Sequence, residues 1–340
     1  MSRLRISVAM CTYRGERYLR EQLDSLTRQT RLPDELVICD DDSRDETLTI
    51  ISGFAASAPF PVTWRCNEIN VGSTRNFQHA IALCSGDIIA LADQDDVWHA
   101  DKLMMVEELF FSSPETGAVF SNACVVNESL SPLGYTLWDT VGFKARQKIQ
   151  FSRKREFEVL LNHNVVTGAT MAFRSSLRDR IFPIPEEWVH DAWIAIVLSL
   201  FSGLRFIDSC LMEYRQHEYQ QIGGLKSTIA GKTRLANSID DYEVQIRQCR
   251  LLAEHVERLG APRNTCRLEK IAEKQAHLEA RTAMYANRGL ASAGGALREL
   301  LKGRYHKYSS GFASLAKDLF MIGKRAAVPK KPQSGFPGSS

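Results

Sequence analysis

Between residues 5 and 125 the chain alternates short apolar runs with longer amphipathic stretches, and this alternation constrains the fold more than any other feature. The apolar runs are Ile6 to Cys11, Leu36 to Cys39, Val62 to Cys66 and Asp87 to Ala92; between them lie residues 16–29, 45–57 and 73–84, whose apolar positions recur at helical spacing. Strands alternating with helices of this length predict an α/β fold with a mostly parallel, Rossmann-like sheet flanked by helices. Such sheets bind ligands beyond the carboxyl ends of their strands. Each strand here runs into a polar cluster: Thr12-Tyr13-Arg14-Gly15, Asp40-Asp41-Asp42-Ser43, Asn67 to Gly72, and Asp93-Gln94-Asp95-Asp96. Four loops are therefore expected to converge on one edge of the sheet.

Beyond residue 125 the alternation weakens. Residues 154–161 read as a helix, Ala169 to Phe173 as a strand, 186–202 as a helix, and Leu204 to Ile207 with Leu211 to Tyr214 as a short strand pair. From residue 238 the pattern is helical: Ile239, Tyr242, Ile246, Cys249, Ala253, Val256 and Leu259 recur by threes and fours. Gly260-Ala261-Pro262 breaks the pattern and a second helix runs over 264–286, a helical hairpin. A further helical stretch around Phe312 to Phe320 precedes a Pro-, Lys- and Gly-rich tail. The expected organisation is a sheet domain over 1–225, a helical C-terminal extension over 226–326 and a disordered tail over 327–340.

A net charge of +3 over 340 residues conceals a division between these parts. Residues 1–225 hold 22 basic and 30 acidic side chains, whereas residues 226–340 hold 21 basic and 10 acidic. The two parts are suited to different partners. The longest apolar stretch, from Ile194 toward Ile207, is interrupted by Ser199, Ser202 and Arg205, short of the roughly 20 residues that span a bilayer. No signal-peptide pattern opens the chain, so a cytoplasmic protein is expected. The eight cysteines show no C-x-x-C pair and read mostly as buried thiols.

Three carboxylates within Asp93-Gln94-Asp95-Asp96, directly after an apolar strand, repel one another unless a cation or hydrogen-bond donors fill the site; hard divalent cations prefer such oxygens. Mg²⁺ or Mn²⁺ bridging them to a diphosphate is the natural filling, and a solvated acidic turn is the plain alternative. A second acidic cluster at the end of another strand favours the metal.

Five blocks together resemble the family 2 inverting glycosyltransferases of GT-A fold. Ile6 to Arg14 resembles the family's first strand and nucleotide-contacting loop, and Asp40-Asp41-Asp42-Ser43-Arg44-Asp45-Glu46-Thr47 its DDGSxDxT block, with Asp42 in place of the usual Gly. Asn70-Val71-Gly72 resembles its NxG segment, Asp93 to Trp98 its D-x-D-D block, and His190-Asp191-Ala192-Trp193 its catalytic-base motif. The order is the family's own, over roughly residues 5 to 220.

The resemblance implies Asp191 as the general base that activates an acceptor hydroxyl. It implies nucleotide-sugar contacts from Thr12, Tyr13, Arg14, Asp40, Asp41, Asp93, Trp98, Lys102 and Arg215. Asp93, Asp95 and His217 are the implied metal ligands, and Thr167 and Gly168 lie on the acceptor side. Helix capping is the plain alternative for Asp191, turn chemistry for Asp40 and Asp41, and a core position for Trp98. The loop around Gln220, Gln221, Gly223 and Gly224 is expected to order on donor binding.

Within the family the blocks most resemble rhamnosyltransferases of bacterial surface polysaccharides. That implies a dTDP- or UDP-sugar donor and a glycan or polyprenyl-diphosphate-linked acceptor. The segment from Arg288 to Lys331, with 10 basic and 2 acidic residues, fits peripheral contact with an anionic membrane; alternatively, the helical apolar stripes cover the sheet or form a homo-oligomer. No nucleic-acid fold accompanies the basic region. A noncatalytic scaffold on the same fold and a nucleotidyltransferase are the competing functions. Gly224 to Thr233 has the wrong spacing for a Walker A loop, and neither G-x-G-x-x-G nor G-x-S-x-G occurs where it would carry chemistry.

Overall fold

A computed structural model describes residues 3–217, 239–260, 264–286 and 290–326. The expected donor-ordered loop around Gln220 to Gly224, the 225/226 boundary and the tail over 327–340 lie outside the described residues. The chain forms two compact units, Met1–Lys232 and Thr233–Ser340.

Among the described residues, the first unit is built on a nine-stranded sheet. Its N-terminal strands are β1 (Ile6–Thr12), β2 (Glu35–Asp40), β3 (Val62–Cys66) and β4 (Ile88–Ala92), separated by helices α1 (Leu19–Thr27), α2 (Thr47–Ala55) and α3 (Ser73–Leu83). β3, β2, β1 and β4 lie side by side in parallel. β1 and β4 are buried along their whole length, the condition of central parallel strands covered on both faces. Then come β5 (Val97–Trp98), α4 (Lys102–Ser112), β6 (Thr116–Val126), β7 (Pro132–Thr136), α5 (Leu137–Val141), α6 (Ala145–Ser152), α7 (Glu156–Asn162), β8 (Met171–Arg174), α8 (Arg178–Ile181), α9 (His190–Phe201) and β9 (Gly203–Arg215). Here the sheet is mixed: β8 is antiparallel to β4 and β6, β9 parallel to β6, and β5 antiparallel to β9.

Three local expectations are corrected. The residues read as two short strands form one strand, β9. Its register against β6 moves from Ser121–Ile207 to Asn122–Cys210, so Asp208 and Ser209 bulge out, and this bulge is the polar break in the sequence. The strand expected from Ala169 begins at Met171, because Gly168–Thr170 makes a single 3₁₀ turn. The helix expected from residue 186 begins at His190.

The second unit is helical: α10 (Ile239–Leu259), α11 (Asn264–Ala286), α12 (Leu290–Leu301), α13 (Arg304–Tyr308) and α14 (Phe312–Ala326). α10 and α11 pack as a hairpin that buries Tyr242, Ile246, Cys249, Leu252 and Val256 with Ile271 and Leu278. Its interior is also polar. Arg281 donates through Nε and Nη2 to the two carboxylate oxygens of Asp318 at 2.7 and 2.8 Å, and the Tyr285 and Tyr305 hydroxyls donate to the same carboxylate. No helix among the described residues is long and apolar enough to cross a membrane.

Candidate active site

The polar ends of β1, β2 and β4 open into a cleft of about 850 Å³, closed on its far side by the Thr167-Gly168 turn and the start of α9. Ten of the residues singled out from sequence line it: Thr12, Tyr13, Arg14, Asp41, Asp93, Asp95, Thr167, Gly168, Asp191 and His217.

The other four lie beneath the lining, each engaged with the protein itself. Asp40 is fully buried and accepts bonds from Thr12 Oγ1 (2.7 Å), the Ser43 amide (2.8 Å) and Ser43 Oγ (2.7 Å). It fixes the two loops to each other, leaving Asp41 to face the cleft. Lys102 is 2 % exposed; its ammonium donates to the Ala169 carbonyl at 2.6 Å and sits 3.8 Å from the Trp98 ring centre. Burial lowers its pKa to about 7, against the pull of Asp96 and Asp93. Trp98 and Lys102 thus pack against each other beneath the cleft and do not line it. Arg215 is 1 % exposed and donates to the Asp95 carbonyl (2.8 Å), the Glu128 carbonyl and the Glu21 carboxylate. It holds the acidic loop and does not line the cleft.

Asp41 is held in place by three donors: the amides of Val71 and Gly72, each at 2.8 Å, and Asn67 Nδ2 at 2.9 Å. The Asn70-Val71-Gly72 block therefore acts through its backbone on this carboxylate. Gln94 clamps the first loop, accepting from the Tyr13 amide at 2.8 Å and donating to the Tyr13 carbonyl at 3.0 Å. Gly15 has no room for a side chain, because a Cβ would lie 2.3 Å from Gln94 Oε1. Asp42 and Arg14 both adopt positive φ, 65° and 50°. The left-handed turn for which Gly is usual is thus retained by Asp42, which tolerates it better than most residues.

The acidic loop is electrostatically strained. Burial raises Asp93 to about 7, reinforced by Asp95 and Asp191 and opposed by Lys102. Asp96 is fully buried, with its pKa raised well above the ordinary value by burial and then by Asp95 and Asp93. Its Oδ1 accepts from the Arg215 amide at 3.1 Å, while its Oδ2 lacks a partner among the described residues. His217 Nε2 lies 2.8 Å from Asp95 Oδ2, and His217 Nδ1 is buried without a partner among the described residues. No three His, Cys, Asp or Glu side chains among the described residues form a ready-made metal cage. The donors nevertheless suit Mg²⁺ or Mn²⁺: carboxylates that repel each other beside an imidazole with an unused nitrogen.

Asp191 lies in the first turn of α9, whose N-cap is Val189, so it does not cap the helix. Its Oδ2 accepts from the Gly168 amide at 3.0 Å, and its Oδ1 from Asn164 Nδ2 at 3.3 Å. Burial raises it to about 6, partly offset by the amides of Gly168 and Ala192. The carboxylate is thus aimed and still able to take a proton near neutral pH. Asn164 carried no sequence signal for this role. His190, the first residue of the catalytic-base block, stacks on Phe77 (centroids 3.9 Å apart, 21° between planes) with both ring nitrogens unpartnered among the described residues. Burial lowers it to about 3, so the ring beside Asp191 stays neutral.

Residues 7–182 match the family described as Glycosyl transferase family 2. Among curated relatives, the chain is 28% identical over 233 residues to the dTDP-rhamnosyl transferase RfbG of Shigella flexneri, covering 66% of this chain and 78% of that protein. It is 27% identical over 193 residues to the UDP-Glc:alpha-D-GlcNAc-diphosphoundecaprenol beta-1,3-glucosyltransferase WfgD of Escherichia coli, covering 56% and 69%. The chain spans 65% and 59% of the length of two other relatives. Among solved structures, S. aureus TarS residues 1–349 in complex with UDP-GlcNAc superimposes with a TM-score of 0.59 at 17% identity, over 95% of this chain and 89% of that one. This likeness is one of fold, and the fold is GT-A.

Proposed function

The chain belongs to glycosyl transferase family 2, and from that premise we propose that it is an inverting glycosyltransferase that moves a sugar from a nucleotide-sugar donor to an acceptor hydroxyl. The observation that carries this reading is the placement of Asp191 and the Asp93–Asp95 pair on one cleft, at the carboxyl edge of the sheet. Asp41 and the backbone of the Thr12-to-Arg14 loop hold the nucleoside. Asp191 accepts the proton of the attacking hydroxyl, and Gly168 and Asn164 keep its oxygens aimed. In-line displacement then inverts the anomeric carbon as the diphosphate leaves. Asp93, Asp95 and His217 would hold a divalent cation, which when bound neutralises charge on the diphosphate.

The finer reading is transfer of rhamnose from dTDP-rhamnose in bacterial surface-polysaccharide synthesis, supported by the likeness to the rhamnosyl transferase of Shigella flexneri. A polyprenyl-diphosphate-linked acceptor is supported by the likeness to the Escherichia coli enzyme whose name specifies one. The helical C-terminal region then brings the enzyme to the membrane carrying that acceptor. The test is mass spectrometry of products across a panel of nucleotide sugars with and without Mg²⁺ or Mn²⁺. Release of nucleoside diphosphate with dTDP-rhamnose is expected; turnover with UDP-hexoses alone would sink the rhamnose reading, and release of pyrophosphate would replace the transferase with a nucleotidyltransferase.

A further inference from the structure

Helix α14 is packed inside out. Its buried side is polar, with Asp318 at 1 % exposure and Ser314 at 9 %, while Phe312 and Phe320 stand 66 % and 68 % exposed and Leu319 is exposed beside them. Asp318 fixes this rotation. Its carboxylate takes two bonds from Arg281 and one each from the hydroxyls of Tyr285 and Tyr305. Turning the helix to hide the phenylalanines would leave a buried guanidinium without its counter-charge, which costs far more than the apolar exposure. α12 packs against α14 and shows a related face, with exposed Leu297 and Leu301 alternating with exposed Arg298 and Lys302.

The charge on these helices is one-sided as well. Residues 290–326 contain seven basic and two acidic side chains. Both acids are buried: Glu299 pairs with His277 and Arg304, and Asp318 with Arg281. Arg298, Lys302 and Lys307 are exposed, Lys302 lying 3.8 Å from Glu299 and Lys307 3.2 Å from Glu273 in pairs that leave the net charge of these helices positive. Exposed apolar side chains in a field of unbalanced positive charge suit a surface that offers hydrocarbon beneath phosphate. A second copy of the chain would cover the apolar groups but set like charges against each other.

We propose that the exposed faces of α12 and α14 form an attachment surface for an anionic lipid bilayer, with Phe312, Phe320 and Leu301 entering the interface and Arg298, Lys302 and Lys307 meeting lipid phosphates. The surface deepens the reading of a membrane-borne acceptor and rests on it for its purpose, but lipid attachment is measured without any sugar.

The experiment is co-sedimentation of the full chain with phosphatidylcholine vesicles with and without phosphatidylglycerol, in the absence of nucleotide sugar. The parent chain should pellet only with phosphatidylglycerol. F312S/F320S and R298Q/K302Q should each weaken binding by about tenfold or more, while melting and transfer to a soluble acceptor stay as in the parent. Equal binding by parent and variants would overturn the proposal. So would absence of vesicle binding together with a dimer that F312S/F320S dissolves, which assigns the face to a second copy. Transfer to the soluble acceptor is read separately, so failure of the transferase reading shows there and not in the pellet.

Discussion

The amide of Gly168 donates to Oδ2 of Asp191 at 3.0 Å, which ties the acceptor-side turn to the proposed base. Gly168 has no room for a side chain: a Cβ would lie 2.7 Å from Nε2 of buried His190 and 3.5 Å from the Asp191 Cβ. Gly168→Ala must therefore displace the His190 ring or the turn. The expected outcome is a fall in kcat of about tenfold or more, since a small misplacement of a catalytic group costs at least that, with the donor dissociation constant unchanged. Calorimetry with nucleoside diphosphate beside steady-state kinetics separates the two.

Asp191 works as a base only when ionised, and burial raises it from the ordinary 3.8 to about 6. kcat should therefore climb with pH through about 6 and level off above it, and Asp191→Asn should lower kcat by about 100-fold or more and abolish that limb. The stability effect has the opposite sign. A carboxyl whose folded pKa lies above its unfolded value stabilises the fold while protonated, and this contribution is lost as pH rises from about 4 to about 6. Chemical denaturation across that range should show Asp191→Asn losing less stability with rising pH than the parent.

The Asp95 carboxylate adds to the cost of ionising buried Asp93, and His217 keeps one nitrogen without a partner among the described residues. Chelation should therefore abolish turnover, with Mg²⁺ or Mn²⁺ restoring it. Asp95→Asn and His217→Ala should each weaken metal-dependent binding of nucleoside diphosphate by about 10- to 100-fold. Titration calorimetry with and without the ion reads this directly; binding indifferent to the ion would remove the metal from the proposed mechanism.

The parallel half of the sheet was legible because β1 and β4 are mostly apolar, buried along their length, and each runs into a polar loop. The C-terminal half was not. β9 pairs across more than eighty residues with β6 and carries a bulge at Asp208-Ser209, and neither long-range register nor a bulge has a local signature. Within the site, motif membership identified the residues but not which way they face. Asp40 ends β2 and Asp41 opens the loop beyond it, so that one turns inward to Thr12 and Ser43 and the other lines the cleft. Lys102 and Arg215 looked like anion-binding side chains, yet both spend their donors on carbonyls or carboxylates within the fold. Asn164 lies 27 residues from the carboxylate that it helps to aim, and no spacing rule reaches it.

Asp42 occupies the left-handed turn at φ 65°. Its ion pair with Arg44 contributes little, because the Arg44 side chain is 73% exposed. The conformation therefore dominates. Asp42→Ala should destabilise the protein by about 1 kcal/mol and Asp42→Gly by less than half of that, since only glycine takes this conformation without steric cost. Urea denaturation should rank the three proteins with Ala lowest.

Arg281 and Asp318 are 2% and 1% exposed, in bidentate contact inside the helical unit. Removing one partner leaves a buried charge, and Asp318 also anchors the hydroxyls of Tyr285 and Tyr305. Asp318→Ala should destabilise this unit by about 3–5 kcal/mol, whereas the double change R281M/D318L should recover much of that loss, because apolar groups of similar volume replace a buried pair at little net cost. Recovery should be incomplete, since both tyrosine hydroxyls lose their acceptor. Hydrogen exchange of α11 and α14 is the readout, because it isolates this unit from the sheet; protection in Asp318→Ala equal to the parent's would show that the pair contributes nothing to holding the helices.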